Sequence, residues 1–126
     1  MKVLLTLFVI LFSSSVVAEW TKITTSKNGN VMYEDIETIK IVGDIRYFYY
    51  LFDYAKPTQY GDLSDTTYRE LNCSNMMFKN LMINYYSLPL GKGNQTAGSG
   101  TRENAKWNYQ PPTSIGGILN KFVCEF

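Results

Sequence analysis

The sequence predicts an α+β domain: a mainly antiparallel sheet of about six strands with one short C-terminal helix. Three observations lead there. The run Ile45–Asp53, IRYFYYLFD, is apolar in both of its alternating sets, with Phe48, Tyr50 and Phe52 in one and Ile45, Tyr47, Tyr49 and Leu51 in the other. A strand of that kind reads as central and covered on both faces. Most β-like runs around it are separated by short Gly-, Asn- or Asp-bearing turns, which suits hairpins. No regular strand-helix alternation argues for a parallel sheet.

Residues 1–18 read as a secretory leader. Lys2 supplies the basic start, Val3–Phe12 the apolar stretch, and Val16-Val17-Ala18 a short-side-chain cleavage site. Ten apolar residues span only ~15 Å as a helix, about half a hydrocarbon core, so a membrane anchor is disfavoured. No cysteine adjoins the expected cut, so no lipidation signal is visible. Residues 19–126 then form a single domain, long enough for one core, with no further run of spanning length. The expected destination is the periplasm, the cell surface or the medium.

The elements follow in order. Glu19–Thr25 alternates as a first strand, Asn28-Gly29 turns the chain, and Val31–Tyr33 returns. Glu34–Thr38 is an acidic turn in which Asp35 is expected to hydrogen-bond local backbone. Ile39–Val42 is apolar and β-branched, and Gly43-Asp44 leads into the central strand. Ala55–Asp65 is a loop. In Thr66–Cys73 the set Tyr68, Glu70, Asn72 is the more polar, so one face is expected to meet water. Met76–Ser87 reads as a strand through Ile83, Tyr85 and Tyr86, with a helix as the alternative. Leu88–Lys106, with four glycines, is the least structured stretch, either a long hairpin tip or a functional loop. Trp107–Tyr109 is β-like, Pro111-Pro112 stops it, and Thr113 or Ser114 caps a helix over Ile115–Phe122 that Gly116-Gly117 weakens.

The chemistry is sparse. With no histidine, the commonest general base and metal ligand are missing, and triad and zinc-type constellations fail at their first requirement. The expectation is a protein that is not an enzyme and uses no cofactor. Glu34-Asp35-Glu37 is the tightest carboxylate cluster and reads as a solvated turn, without calcium-loop spacing. Gly91-Lys92-Gly93 lacks the phosphate-loop pattern. Asn72-Cys73-Ser74 and Asn94-Gln95-Thr96 match the glycosylation pattern, which has meaning only in a eukaryotic secretory route. The terminal Phe126 does not make an outer-membrane barrel of strands this few and uneven. Twelve basic and eleven acidic residues, one of the former in the leader, leave no basic patch for nucleic acid or anionic lipid. The two cysteines, Cys73 and Cys124, read as one disulfide in an oxidising compartment, with two separate thiols as the alternative.

Ten tyrosines carry the partner-binding expectation. Tyr47, Tyr49, Tyr50, Tyr54, Tyr85 and Tyr86 fall in two strand-like runs. Such rings fill cores or build interfaces. The candidate contact residues are Tyr47, Tyr49 and Tyr85 of the strands and Lys92, Asn94 and Arg102 of the glycine-rich stretch.

Trp20, then Tyr33, Asp35, Ile39 and Gly43, an aromatic strand ending in Asp53-Tyr54, Asn72-Cys73, Trp107, Pro112-x-Ser114 and a closing Val123-Cys124 together resemble the bacterial surface-adhesin protein E family, over essentially all of residues 19–126. The resemblance implies a PAS-like six-stranded antiparallel sheet with helical cover and a Cys73–Cys124 disulfide. It also implies binding to host extracellular-matrix proteins and pairing into homodimers. Two departures stand out: no lipidation cysteine, and Asn72 where the family commonly has an acid. The runner-up is a small periplasmic module that binds a small ligand in a PAS-like pocket.

Overall fold

A computed structural model of the protein describes residues 19–126; the expected leader lies outside the described residues. The strands are β1 (Thr21–Thr25), β2 (Val31–Glu34), β3 (Lys40–Val42), β4 (Ile45–Asp53), β5 (Ser64–Asn72), β6 (Met77–Tyr86), β7 (Gly100–Thr101) and β8 (Asn108–Tyr109), followed by one helix, α1 (Ile115–Cys124). All pair antiparallel in one sheet, in the order β1-β2-β4-β5-β6-β7. The strand count is eight rather than about six, because two positions in the sheet are shared. β2 pairs the Tyr50–Asp53 end of β4 while β3 pairs its Ile45–Tyr47 end. Likewise β7 lies against Met82 and Ile83 of β6, and β8 against Met77 and Phe78.

Local chemistry explains the turns. Gly43, at φ +57°, closes the two-residue link between β3 and β4, where Val42 faces Ile45. The expected loop over Ala55–Asp65 ends sooner, because Ser64 and Asp65 already pair with Asp53 and Phe52. The expected strand over Met76–Ser87 runs from Met77 to Tyr86, with a bulge opposite Tyr68 and Arg69. The stretch from Leu88 is tied down more than its glycines suggest: a 3-10 turn over Pro89–Gly91 hydrogen-bonds to Asp53 and Ser64, and Thr96 to the backbone of Tyr85.

One face of the sheet carries the core. Met32, Phe48, Tyr50, Leu71 and Phe78 pack against Leu119 and Val123 of α1. Ser114 caps the helix by accepting a hydrogen bond from the Gly117 amide. The glycine pair has a packing reason: a Cβ at Gly116 would lie 1.8 Å from Oε1 of Gln110, and one at Gly117 1.9 Å from the Pro111 carbonyl oxygen. The Cys73–Cys124 disulfide, with Cα atoms 5.7 Å apart, ties the last residue of α1 to the end of β5.

Candidate partner-binding face

Strand pairing sorts the aromatics onto two faces. Along β4 the set Phe48, Tyr50, Phe52 points under α1, while Tyr47, Tyr49 and Leu51 point the other way. The expectation that β4 is covered on both faces holds only at one end. There Leu51 is fully buried, and the Pro89–Gly91 turn brings Gly91 against Leu51, Thr66 and Tyr86. Beyond it Tyr47 and Tyr49 are only half-buried.

These two rings meet Tyr68 of β5. Tyr49 and Tyr68 face each other directly across the strands, with centroids 4.6 Å apart, and Tyr47 stacks diagonally on Tyr68 at 6.3 Å. Glu70 sits opposite Tyr47, and Lys79 of β6 opposite Glu70. The Lys79 ammonium lies 4.5 Å from the centre of the Trp107 ring. Removal from water and the Glu70 charge push the Tyr47 hydroxyl above its usual range. At the covered end, Trp20, Tyr33, Tyr86 and Lys92 border a depression of about 620 Å³. The result is a three-tyrosine strip with flanking charges of both signs.

The six expected contact residues do not form one site. Tyr47 and Tyr49 share the strip, Lys92 stands at its covered end, and Asn94 is exposed on the tip, where its backbone exchanges hydrogen bonds with Ser87. Tyr85 pairs with Asp65 and therefore points to the opposite face. It borders a separate cavity of about 420 Å³ with Tyr54, Tyr60 and Arg102, whose guanidinium donates to the Gly98 carbonyl. Tyr68 was not among the candidates; its signal was its place in the water-facing Tyr68, Glu70, Asn72 set.

Beneath α1 the sheet holds a polar cluster that sequence reasoning also missed. Arg69, 2% exposed, donates from Nε to Asn80, from Nη1 to Asn120 and from Nη2 to the Tyr50 hydroxyl, each at 2.9 Å. Its guanidinium lies 3.9 Å from the Phe78 ring centre and 4.6 Å from that of Tyr50. Burial lowers its pKa against the opposing pull of Tyr50, Asp65 and Glu34. Asp65 accepts from Thr67 and Tyr54, and its pKa is raised by burial. Glu34 is no solvated turn residue: as the last residue of β2 it is fully buried, without a hydrogen-bond partner for either carboxylate oxygen. Burial first, then the Asp35 charge, pushes its pKa up to about 9. Asp35 does not cap the following turn with its side chain; its carbonyl accepts from Thr38 instead. Among the described residues no group of His, Cys, Asp and Glu is arranged to hold a metal ion, and no helix is long and apolar enough to cross a membrane.

A one-sheet domain with a single helix disulfide-bonded across it is the class of protein that this fold defines. The family model for surface-adhesin protein E matches residues 20–125, and the chain belongs to that family. Among solved structures it is similar to Haemophilus influenzae protein E, at 18% identity and a TM-score of 0.66 over 87% of this chain and 86% of that one. A second crystal form of that protein gives 18% identity and a TM-score of 0.65, covering 87% and 90%. Protein E from non-typeable Haemophilus influenzae gives 18% identity and 0.59, covering 89% and 79%. At this identity the likeness is one of fold. No curated protein matches the chain.

Proposed function

We propose that the chain is an exported envelope protein that binds a protein partner, of the host extracellular-matrix type, through the open face of its sheet. The observation that carries this reading is the uncovered Tyr47–Tyr68–Tyr49 strip, because no described element packs over these half-buried rings. Tyrosine gives large contact area and a hydroxyl at small entropic cost, as interface centres require. Family membership supports the adhesive role. Residues 1–18 are the leader in this reading, so mass spectrometry of the exported protein should find Glu19 at the N-terminus, and a retained leader would argue against it. In this reading the domain is PAS-like, which one helix laid across an antiparallel sheet supports.

The test is binding of residues 19–126 to a panel of immobilised matrix proteins, wild type against Tyr47→Ala/Tyr49→Ala/Tyr68→Ala. Binding should fall at least tenfold in the triple variant while the circular dichroism spectrum is kept. It should change little with salt, since Glu70 and Lys79 balance. No binding by the wild type to any panel member would sink the adhesive reading, and unchanged binding by the variant would remove the strip from it.

A further inference from the structure

The cavity that Tyr85 borders lies between the loop after β4 and the segment that follows β6, away from the tyrosine strip. Its volume of about 420 Å³ is within the range of small-molecule sites. Tyr54, Tyr60 and Tyr85 give it three rings, and Asp62 and Arg102 one charge of each sign.

Its walls are held in place. Tyr54 is tethered through its hydroxyl to Asp65. In the turn over residues 58–62 the Thr58 amide donates to the Asp62 carbonyl, and the Thr58 hydroxyl accepts from the Tyr60 and Asp62 amides. On the other wall the Tyr85 carbonyl accepts from the Thr96 amide, and the Ser99 hydroxyl from the Tyr85 amide. Tyr60, 76% exposed, is therefore a bare ring on a braced turn, and a ligand that meets it has little of the loop left to order.

Asp62 points to a ligand. It is only 3% exposed, and its Oδ1 accepts from the Thr96 hydroxyl. Its Oδ2 has no partner among the described residues, yet it is not sealed: the enclosed unpaired atoms belong to Glu34, Arg46, Gln110 and Asn120. The surface that Asp62 retains opens into the cavity it lines. Arg102 is half-buried in the same cavity, with Nη2 donating to the Gly98 carbonyl at 2.7 Å and Nε neither bonded nor sealed. A charged acceptor and a charged donor thus reach one space, each short of partners.

The two charges decide the ligand. A cation would meet Arg102 and an anion would meet Asp62, so the cavity favours a molecule without net charge. It must also donate and accept at once while laying an apolar face on tyrosine. A sugar ring has that complement. Each hydroxyl both donates and accepts, and the C–H face of the ring is apolar and flat enough to lie on a phenol. We propose that this cavity binds an uncharged hexopyranose, its ring against Tyr60 and its hydroxyls on Asp62 Oδ2 and Arg102. The site is separate from the tyrosine strip, and either can fail without the other.

The test uses the disulfide-bonded chain, residues 19–126, labelled with ¹⁵N and titrated with the methyl glycosides of glucose, galactose and mannose. Tetrahydropyran-2-methanol, which keeps the ring and lacks its hydroxyls, and tetramethylammonium and acetate are titrated in parallel. At least one glycoside should shift the backbone signals of Gly61, Asp62 and Gly98, and bind at least tenfold tighter than the stripped ring, as lost hydrogen bonds to charged groups require. Asp62→Asn should weaken that glycoside about tenfold, because a neutral donor replaces the charged acceptor. Tyr60→Ala should weaken it several-fold and Tyr60→Phe should not; this exposed pair serves if the Asp62 variant does not fold. Absence of shifts with all three glycosides at high millimolar concentration, shifts confined to other surfaces, or equal affinity for glycoside and stripped ring would each overturn the proposal. Tighter binding of tetramethylammonium or acetate than of every glycoside would overturn it as well, giving the cavity to a charged ligand.

Discussion

Arg69 and Tyr68 are neighbours in β5 and point to opposite faces of one sheet. Arg69 is sealed under α1 by three side-chain hydrogen bonds and two aromatic rings. Tyr68 stacks on Tyr47 and Tyr49 where no described element covers it. The charged residue of the pair lies inside and the aromatic one on the face that the polar set Tyr68, Glu70, Asn72 marked as meeting water. On the covered face a charge is accommodated because every listener to it is fixed: Tyr50, Asn80 and Asn120 all come from regular elements. On the open face rings are tolerated because each ends in a hydroxyl that water can reach. Stability should therefore respond to the covered face and binding to the open one.

The largest expected effect tests the link that holds the cover in place. Cys73→Ser, Cys124→Ser and the double variant should each lose about 4 kcal/mol in urea denaturation, the upper value that a loop of this length gives. The double should be no worse than either single, because the same bond is gone in all three. Additive losses would mean that each side chain contributes through its own packing instead.

The next sharpens the comparison between neighbours. Arg69→Ala should cost about 3 kcal/mol, since it empties a buried volume and leaves Asn80, Asn120 and the Tyr50 hydroxyl unpaired. Tyr68→Ala should cost about 1 kcal/mol or less, losing a partly solvated stack. Similar losses from the two would abolish the division of labour between the faces.

Much of the frame was legible. The apolar run made Ile45–Asp53 a long inner strand, Asn28-Gly29 and Gly43-Asp44 placed two hairpins, and Ser114 opened the helix, which runs on to Cys124 rather than ending at Phe122. What was not legible depends on pairing. β8 falls within the β-like Trp107–Tyr109, but β7 is two residues long and has no periodicity to read; only the edge of β6 makes it a strand. Apolar residues in both sets of β4 suggested cover on both faces, yet Tyr47 and Tyr49 satisfy that pattern while half-exposed. The contact candidates were split because Tyr85 follows a bulge, and its face is set by its pairing with Asp65. For Glu34 a signal existed: it alternates with Met32, which shares the covered face. Its acidic neighbours Asp35 and Glu37 masked that signal.

Glu34 also marks the limit of what the covered face accommodates. Arg69 has partners for its charge; Glu34 has none. With its pKa pushed from 4.5 up to about 9, the folded protein keeps the carboxyl protonated at neutral pH, while the unfolded chain ionises it. The folded state therefore binds more protons between those two values, and the Glu34 contribution to stability falls as pH rises through that window. Glu34→Gln removes this dependence. Near pH 4 the variant should match the wild type, because both carry a neutral side chain in both states. By pH 8 it should be the more stable of the two by about 2 kcal/mol, fewer than a full shift of that size implies because relaxation around a buried acid lowers the penalty. The measurement is the difference between variant and wild-type unfolding free energies at several pH values, which cancels the titration of the other carboxylates. A flat difference across the window would mean that Glu34 is ionised in the folded protein, with Arg69 compensating its charge across the core. The covered face would then hold a matched pair of charges rather than a single accommodated one.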